Sequence, residues 1–135
     1  MLTGMGQFYP GDIRGPEIDG LPVEVDTVYD EARRCLAASA YTACEMVCRK
    51  ILMHVAVDKG APEGKNFTVY LSHLETQGYI TPPMKQWTDL IRRHGNVATH
   101  EIKLPDRVRA ESTLMFTSEL LRLVYEVEWM AANYT

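Results

Sequence analysis

Tyr41-Thr42-Ala43-Cys44-Glu45-Met46-Val47-Cys48-Arg49-Lys50-Ile51-Leu52-Met53-His54-Val55 carries an apolar series at Tyr41, Cys44, Val47, Cys48, Ile51, Leu52 and Val55. The intervals i, i+3, i+4 and i+7 trace one face of an α-helix, which turns once in about 3.6 residues. Upstream, Val25, Val28, Tyr29, Ala32, Cys35 and Leu36 repeat the rule, and Ser39 or Ala40 separates the two helices. Downstream, Gly60-Ala61-Pro62-Glu63-Gly64 ends the second helix. Phe67, Tyr70, Leu71 and Leu74 mark a shorter third helix, with Gly78 placed to cap its C-terminus. Thr81-Pro82-Pro83 reads as an N-cap followed by proline at the first helical position. The fourth helix passes through Trp87, Leu90 and Ile91 to Gly95. Pro105-Asp106 opens a long last helix with Ala110, Leu114, Thr117, Leu121, Val124 and Tyr125 on its stripe.

Strand signals are confined to Gly78-Tyr79-Ile80 and Ile102-Lys103-Leu104, each too short to build a sheet. The expectation is an all-α bundle of four or five helices over residues 23–135. Residues 1–22 hold Gly4, Gly6, Pro10, Gly11, Gly15, Pro16, Gly20 and Pro22, a density of breakers that forbids a regular element of any length. They read as an extended, irregular N-terminal arm that lies on the domain or on a partner chain.

The chain has 135 residues, enough for one domain with a single core. Its hydrophobic fraction of 46% and charged fraction of 24% are those of a soluble globular protein. A formal net charge of -4 argues against a general nucleic-acid coat. From Lys85 to Arg109, however, six basic residues (Lys85, Arg92, Arg93, Lys103, Arg107, Arg109) face three acidic ones (Asp89, Glu101, Asp106), a local +3 that can attract an anion. Three cysteines, Cys35, Cys44 and Cys48, all fall in helix-like segments. An odd count without a disulfide framework points to a reducing cytoplasm. The N-terminus lacks a basic region followed by an apolar run, and no stretch is apolar for long enough to span a bilayer, so neither a signal peptide nor a membrane association is expected.

Cys44 and Cys48 stand at i and i+4, a spacing that can share a metal. Their face also carries Val47, Ile51 and Leu52, so they read as core residues and no metal site is expected. His54 and His73 are isolated, and Glu111, Glu119, Glu126 and Glu128 share no consistent helix face. No P-loop, dinucleotide glycine motif or serine nucleophile elbow is present, and no cofactor is expected. The remaining chemistry is concentrated in Ile91-Arg92-Arg93-His94-Gly95-Asn96-Val97-Ala98-Thr99-His100. A guanidinium can grip a phosphate by two parallel hydrogen bonds, and an imidazole can move a proton near neutral pH. Successive helical residues point about 100 degrees apart, so Arg92, Arg93 and His94 cannot all face the core. The bland alternative is a helix C-terminus decorated with cations that complement its dipole, plus a capping Asn96.

At these residues the chain resembles the HEPN superfamily (higher eukaryotes and prokaryotes nucleotide-binding), and in particular an uncharacterised branch found alone or beside zinc-ribbon and restriction-type modules. The similar stretches are Val28-Tyr29-Asp30-Glu31-Ala32-Arg33-Arg34-Cys35-Leu36, Ala40-Tyr41-Thr42-Ala43-Cys44-Glu45-Met46-Val47-Cys48-Arg49-Lys50-Ile51-Leu52, Gly78-Tyr79-Ile80 and Ile91 to His100, within residues 22–128. The resemblance implies a homodimer with the motif helices at its interface. It also implies a metal-independent endoribonuclease or RNA-binding protein, of the kind found in bacterial or phage defence, with an antitoxin or defence-system partner. Carried over, Arg93 holds the scissile phosphate and His100 is the general base or acid. Arg92, His94 and Asn96 contribute phosphate or RNA contacts. Six residues separate Arg93 from His100 and seven separate Arg92 from it, and either arginine can be the motif position. The alternative is a non-catalytic dimerisation and binding module in which Gly95-Asn96 and His100 stabilise the helix junction.

Overall fold

The apolar stripes become α1 (Val23–Ala37), α2 (Tyr41–Asp58) and α3 (Phe67–Thr76), followed by a 3-10 turn (Pro82–Met84) that leads into α4 (Lys85–Gly95). The last helix starts as α5 (Arg107–Leu121), passes through one π-helical turn (Arg122–Glu126) and ends as α6 (Val127–Asn133). The computed structural model describes residues 15–95 and 104–135. The architecture is an all-α bundle, and no strand occurs among the described residues.

The helix ends follow from local chemistry. Asp106 caps α5 by accepting a hydrogen bond from the Arg109 N–H at 2.9 Å, and Asn66 does the same for α3 through Val69. Gly78 closes α3, with the N–H groups of Gly78 and Tyr79 donating to the carbonyls of Glu75 and Leu74, each at 3.1 Å. Thr81 departs from expectation. It has the extended backbone of an N-cap, but its side chain caps nothing. Pro82 and Pro83 have no N–H to offer, and Met84 N donates to the Thr81 carbonyl instead, which tightens the start into a 3-10 turn.

α2 packs against α1, α3 and α5, and α5 also touches α1 and α4. α2 and α5 run side by side in the same direction, joined by Glu45–Arg109 near their starts, and Asp58 at the end of α2 meets Tyr125 in the π-helical turn that follows α5. α5 is buried over most of its surface. Its expected stripe of Ala110, Leu114, Thr117 and Leu121 is buried, and so are Thr113, Phe116, Ser118 and Leu120, while Val108 and Met115 stay exposed on the remaining face. The enclosed hydroxyls are satisfied within the helix: Thr117 donates to the Thr113 carbonyl at 2.8 Å and Ser118 to that of Leu114 at 2.9 Å. Each fully enclosed leucine in this core contributes roughly 2 kcal/mol of burial free energy.

Residues 15–22 lie on the same chain's helices. The Tyr29 hydroxyl donates to the Pro16 carbonyl at 2.7 Å and sits 2.8 Å from Ser118 Oγ. Asp19 N donates to Glu126 in the π-helical turn at 2.8 Å, and Ile18 is buried. Residues 1–14 of the expected arm lie outside the described residues. No helix among the described residues is long and apolar enough to cross a membrane.

Candidate functional site at the end of α4

α4 places Ile91 in the core and turns Arg92, Arg93 and His94 onto three different sides of its last turn. Arg92 points back toward α3. Its guanidinium donates to Asp89 at 2.9 Å and lies 3.6 Å from Glu75, which also holds Lys85 at 2.9 Å. The Lys85 ammonium, with help from Arg92, keeps the Glu75 carboxyl below its ordinary range. Arg93 is exposed and has no carboxylate partner among the described residues.

His94 is half-buried, and its Nδ1 is enclosed with no hydrogen-bond partner among the described residues. Burial lowers its pKa below the ordinary value of 6.5. The Arg109 charge adds to this, Glu45 opposes it, and Arg93 contributes last. His94 is therefore harder to protonate than an ordinary histidine.

Behind this turn stands a pair that sequence reasoning did not single out. Glu45 of α2 is only 6% exposed. Arg109 of α5 grips it with both arms of the guanidinium fork, Nε to Oε2 at 2.9 Å and Nη2 to Oε1 at 2.5 Å. The same Nη2 reaches the His94 carbonyl at 3.5 Å, so one guanidinium links α2, α4 and α5. A signal for Glu45 existed. It lies in the row Glu45, Cys48, Leu52, Ala56, spaced 3, 4 and 4, and the other three residues are core. A carboxylate in such a row requires a buried cation.

The local +3 of the sequence is thus largely compensated. Lys85, Arg92 and Arg109 are ion-paired, while Arg93 and Arg107 have no carboxylate partner among the described residues. Of the expected site residues, the structure gathers Arg92, Arg93 and His94 at one helix end. Asn96 and His100 lie outside the described residues.

Other candidates resolve into packing. Cys44 and Cys48 are buried free thiols. The hydrogen bond from Cys44, reinforced by burial, pushes Cys48 well above the ordinary thiol range. No group of three or more metal-ligating side chains occurs among the described residues. The His73 ring lies 3.0 Å from the Lys59 carbonyl. His54 borders an apolar recess of about 130 Å³ between α1 and α2, with Val25, Val28 and Ile51. A larger polar recess of about 470 Å³, lined by Glu17, Asp19, Asp26, Asp30 and Arg33, lies beside the N-terminal segment. Arg92, Arg93 and His94 line neither.

Comparison with known proteins adds one match. The family described as Domain of unknown function (DUF4145) matches residues 30–134, from α1 to the end of α6. No curated protein and no solved structure matches the chain.

Proposed function

The chain belongs to the family of unknown function DUF4145, and from the resemblance of its Ile91 to His100 stretch we propose an RNA-binding protein of HEPN type, with the end of α4 as its phosphate site and metal-independent RNA cleavage as its reaction. The carrying observation is the division of labour between two adjacent arginines. Arg92 is committed to Asp89 and Glu75, and Arg93 is exposed without a carboxylate among the described residues. An exposed guanidinium next to an imidazole suits a phosphodiester, which needs charge stabilisation and proton transfer together.

In this reading Arg93 binds the non-bridging oxygens of the scissile phosphate. The ribose 2′-hydroxyl loses its proton and its oxygen attacks phosphorus. The bond from phosphorus to the 5′-oxygen breaks, and that oxygen takes up a proton. The products are a 2′,3′-cyclic phosphate and a 5′-hydroxyl. Arg93 stabilises the extra negative charge of the crowded phosphorus, and His100 transfers one of the two protons. Arg92, His94 and Asn96 shape the surroundings of the phosphate. The protein acts as a homodimer with the α4 ends facing each other. A second reading, a non-catalytic binding module, is favoured by the Glu45–Arg109 clamp, which would stabilise the same junction without any reaction.

The test is incubation of single-stranded RNAs of varied sequence with the protein in excess chelator. Cleavage to cyclic-phosphate ends is expected, with loss in His100→Ala at unchanged molecular size. RNA that is bound but left intact would support the binding module, and RNA that is neither bound nor cut would end both readings.

A further inference from the structure

Arg109 is in an unusual place for a stabilising cation. It lies in the first turn of α5, where the helix dipole is positive and a cation is unfavourable. It is also partly desolvated, with 23% of its side chain exposed. Only a deeply placed carboxylate offsets both costs, and Glu45 is that carboxylate. A leucine pair at these positions would fill the α2–α5 contact without any charge. The retained pair does something such a contact could not do: its spare Nη2 hydrogen reaches the His94 carbonyl, one of the last in α4 and without a partner inside that helix.

We propose that Arg109, anchored by Glu45, is the positioning residue of the α4 terminus and fixes the turn from which Arg93 and His94 project. The assignment rests on the phosphate-site reading for its consequence, but not for its geometry. Arg109 is not a catalytic residue, because it faces α2 and the α4 backbone. Its charge has a second effect on the same site. The charged groups that act on the His94 ring are Arg109 from α5, Glu45 from α2 and Arg93 from α4 itself. Arg109 and Arg93 oppose protonation and Glu45 favours it. The clamp therefore holds the turn that carries His94 and adds two opposed charges to the burial that chiefly lowers its pKa.

Three variants of the full chain separate this role from plain structural support: Arg109→Gln, Arg109→Lys and Glu45→Gln. The histidine ring resonances are titrated by NMR, and affinity for a single-stranded RNA oligonucleotide is measured in chelator on the same samples. Arg109→Gln should move the His94 midpoint upward, and Glu45→Gln should move it downward. Arg109→Lys keeps the charge but loses the fork, so the midpoint should stay low while RNA affinity falls by about tenfold, or 1.4 kcal/mol. Retained cooperative unfolding in Arg109→Lys keeps the comparison sound if Arg109→Gln fails to fold. A His94 midpoint unmoved by both Glu45→Gln and Arg109→Gln would overturn the assignment. So would full RNA affinity in Arg109→Lys. If the unaltered protein binds no RNA, the phosphate-site reading fails alone, and opposite shifts of the His94 midpoint still support the clamp.

Discussion

Arg92 and Arg93 are sequence neighbours with opposite fates: one donates to Asp89 at 2.9 Å and approaches Glu75 on α3, and the other stands exposed at the end of α4. The helix itself causes the split, because consecutive side chains point about 100 degrees apart. One guanidinium ties α4 to α3, and the next is turned to the surface.

The two arginines should therefore separate stability from binding. Arg92→Ala removes a partly shielded pair of ionic contacts and should cost about 0.5–1 kcal/mol. Arg93→Ala removes no ion pair among the described residues and should change stability by less than about 0.5 kcal/mol. Urea unfolding followed by circular dichroism distinguishes them. Equal losses from the two would mean that Arg93 also has a structural partner.

The N-terminal segment should depend on Gly20. Its φ of +82 strains any other residue, and a Cβ there would overlap Trp129 Cβ. Gly64 has a similar φ of +80 but open space around it. Gly64→Ala then measures backbone strain alone, about 1 kcal/mol. Gly20→Ala adds the collision and should lose about 1–3 kcal/mol, with a shift in Trp129 fluorescence. Identical costs for the two variants would show that the segment yields without resistance.

The acid side of the stability curve should carry the signature of His94. Its folded pKa lies below the ordinary 6.5, chiefly through burial and then through Arg109. As pH falls through that ordinary value, the unfolded chain takes up a proton that the native chain declines. This contribution to stability is complete above the unfolded pKa and is lost progressively below it. His94→Gln should flatten the decline between about pH 7 and pH 5. A slope unchanged by the substitution would assign the acid sensitivity to other groups.

The helices were legible because their signals are local. Val25, Tyr29, Ala32 and Leu36 form one stripe, and Cys44, Cys48, Ile51, Leu52 and Val55 another, and each meets the core as its period demands. The enclosure of Phe116 and Leu120 was not legible, because how many sides of a helix are covered depends on its neighbours. The burial of Cys44 and Cys48 was legible, since Val47, Ile51 and Leu52 share their side of the helix. The site was legible in composition but not in assignment. Arg92 finds Glu75 17 residues away, and Arg109 finds Glu45 64 residues away. No local pattern announces such pairings, so the local +3 overstated the charge left for an anion.

The most direct measurement is the salt dependence of single-stranded RNA affinity for the unaltered protein, Arg92→Ala and Arg93→Ala, in chelator. Each phosphate contact contributes about 0.7 to the slope of log affinity against log salt for a single strand. Arg93→Ala is predicted to lower that slope by about one contact and weaken binding by about tenfold. Arg92→Ala is predicted to leave the slope unchanged. A slope that falls with Arg92→Ala and not with Arg93→Ala, or no RNA binding by the unaltered protein, would contradict the account.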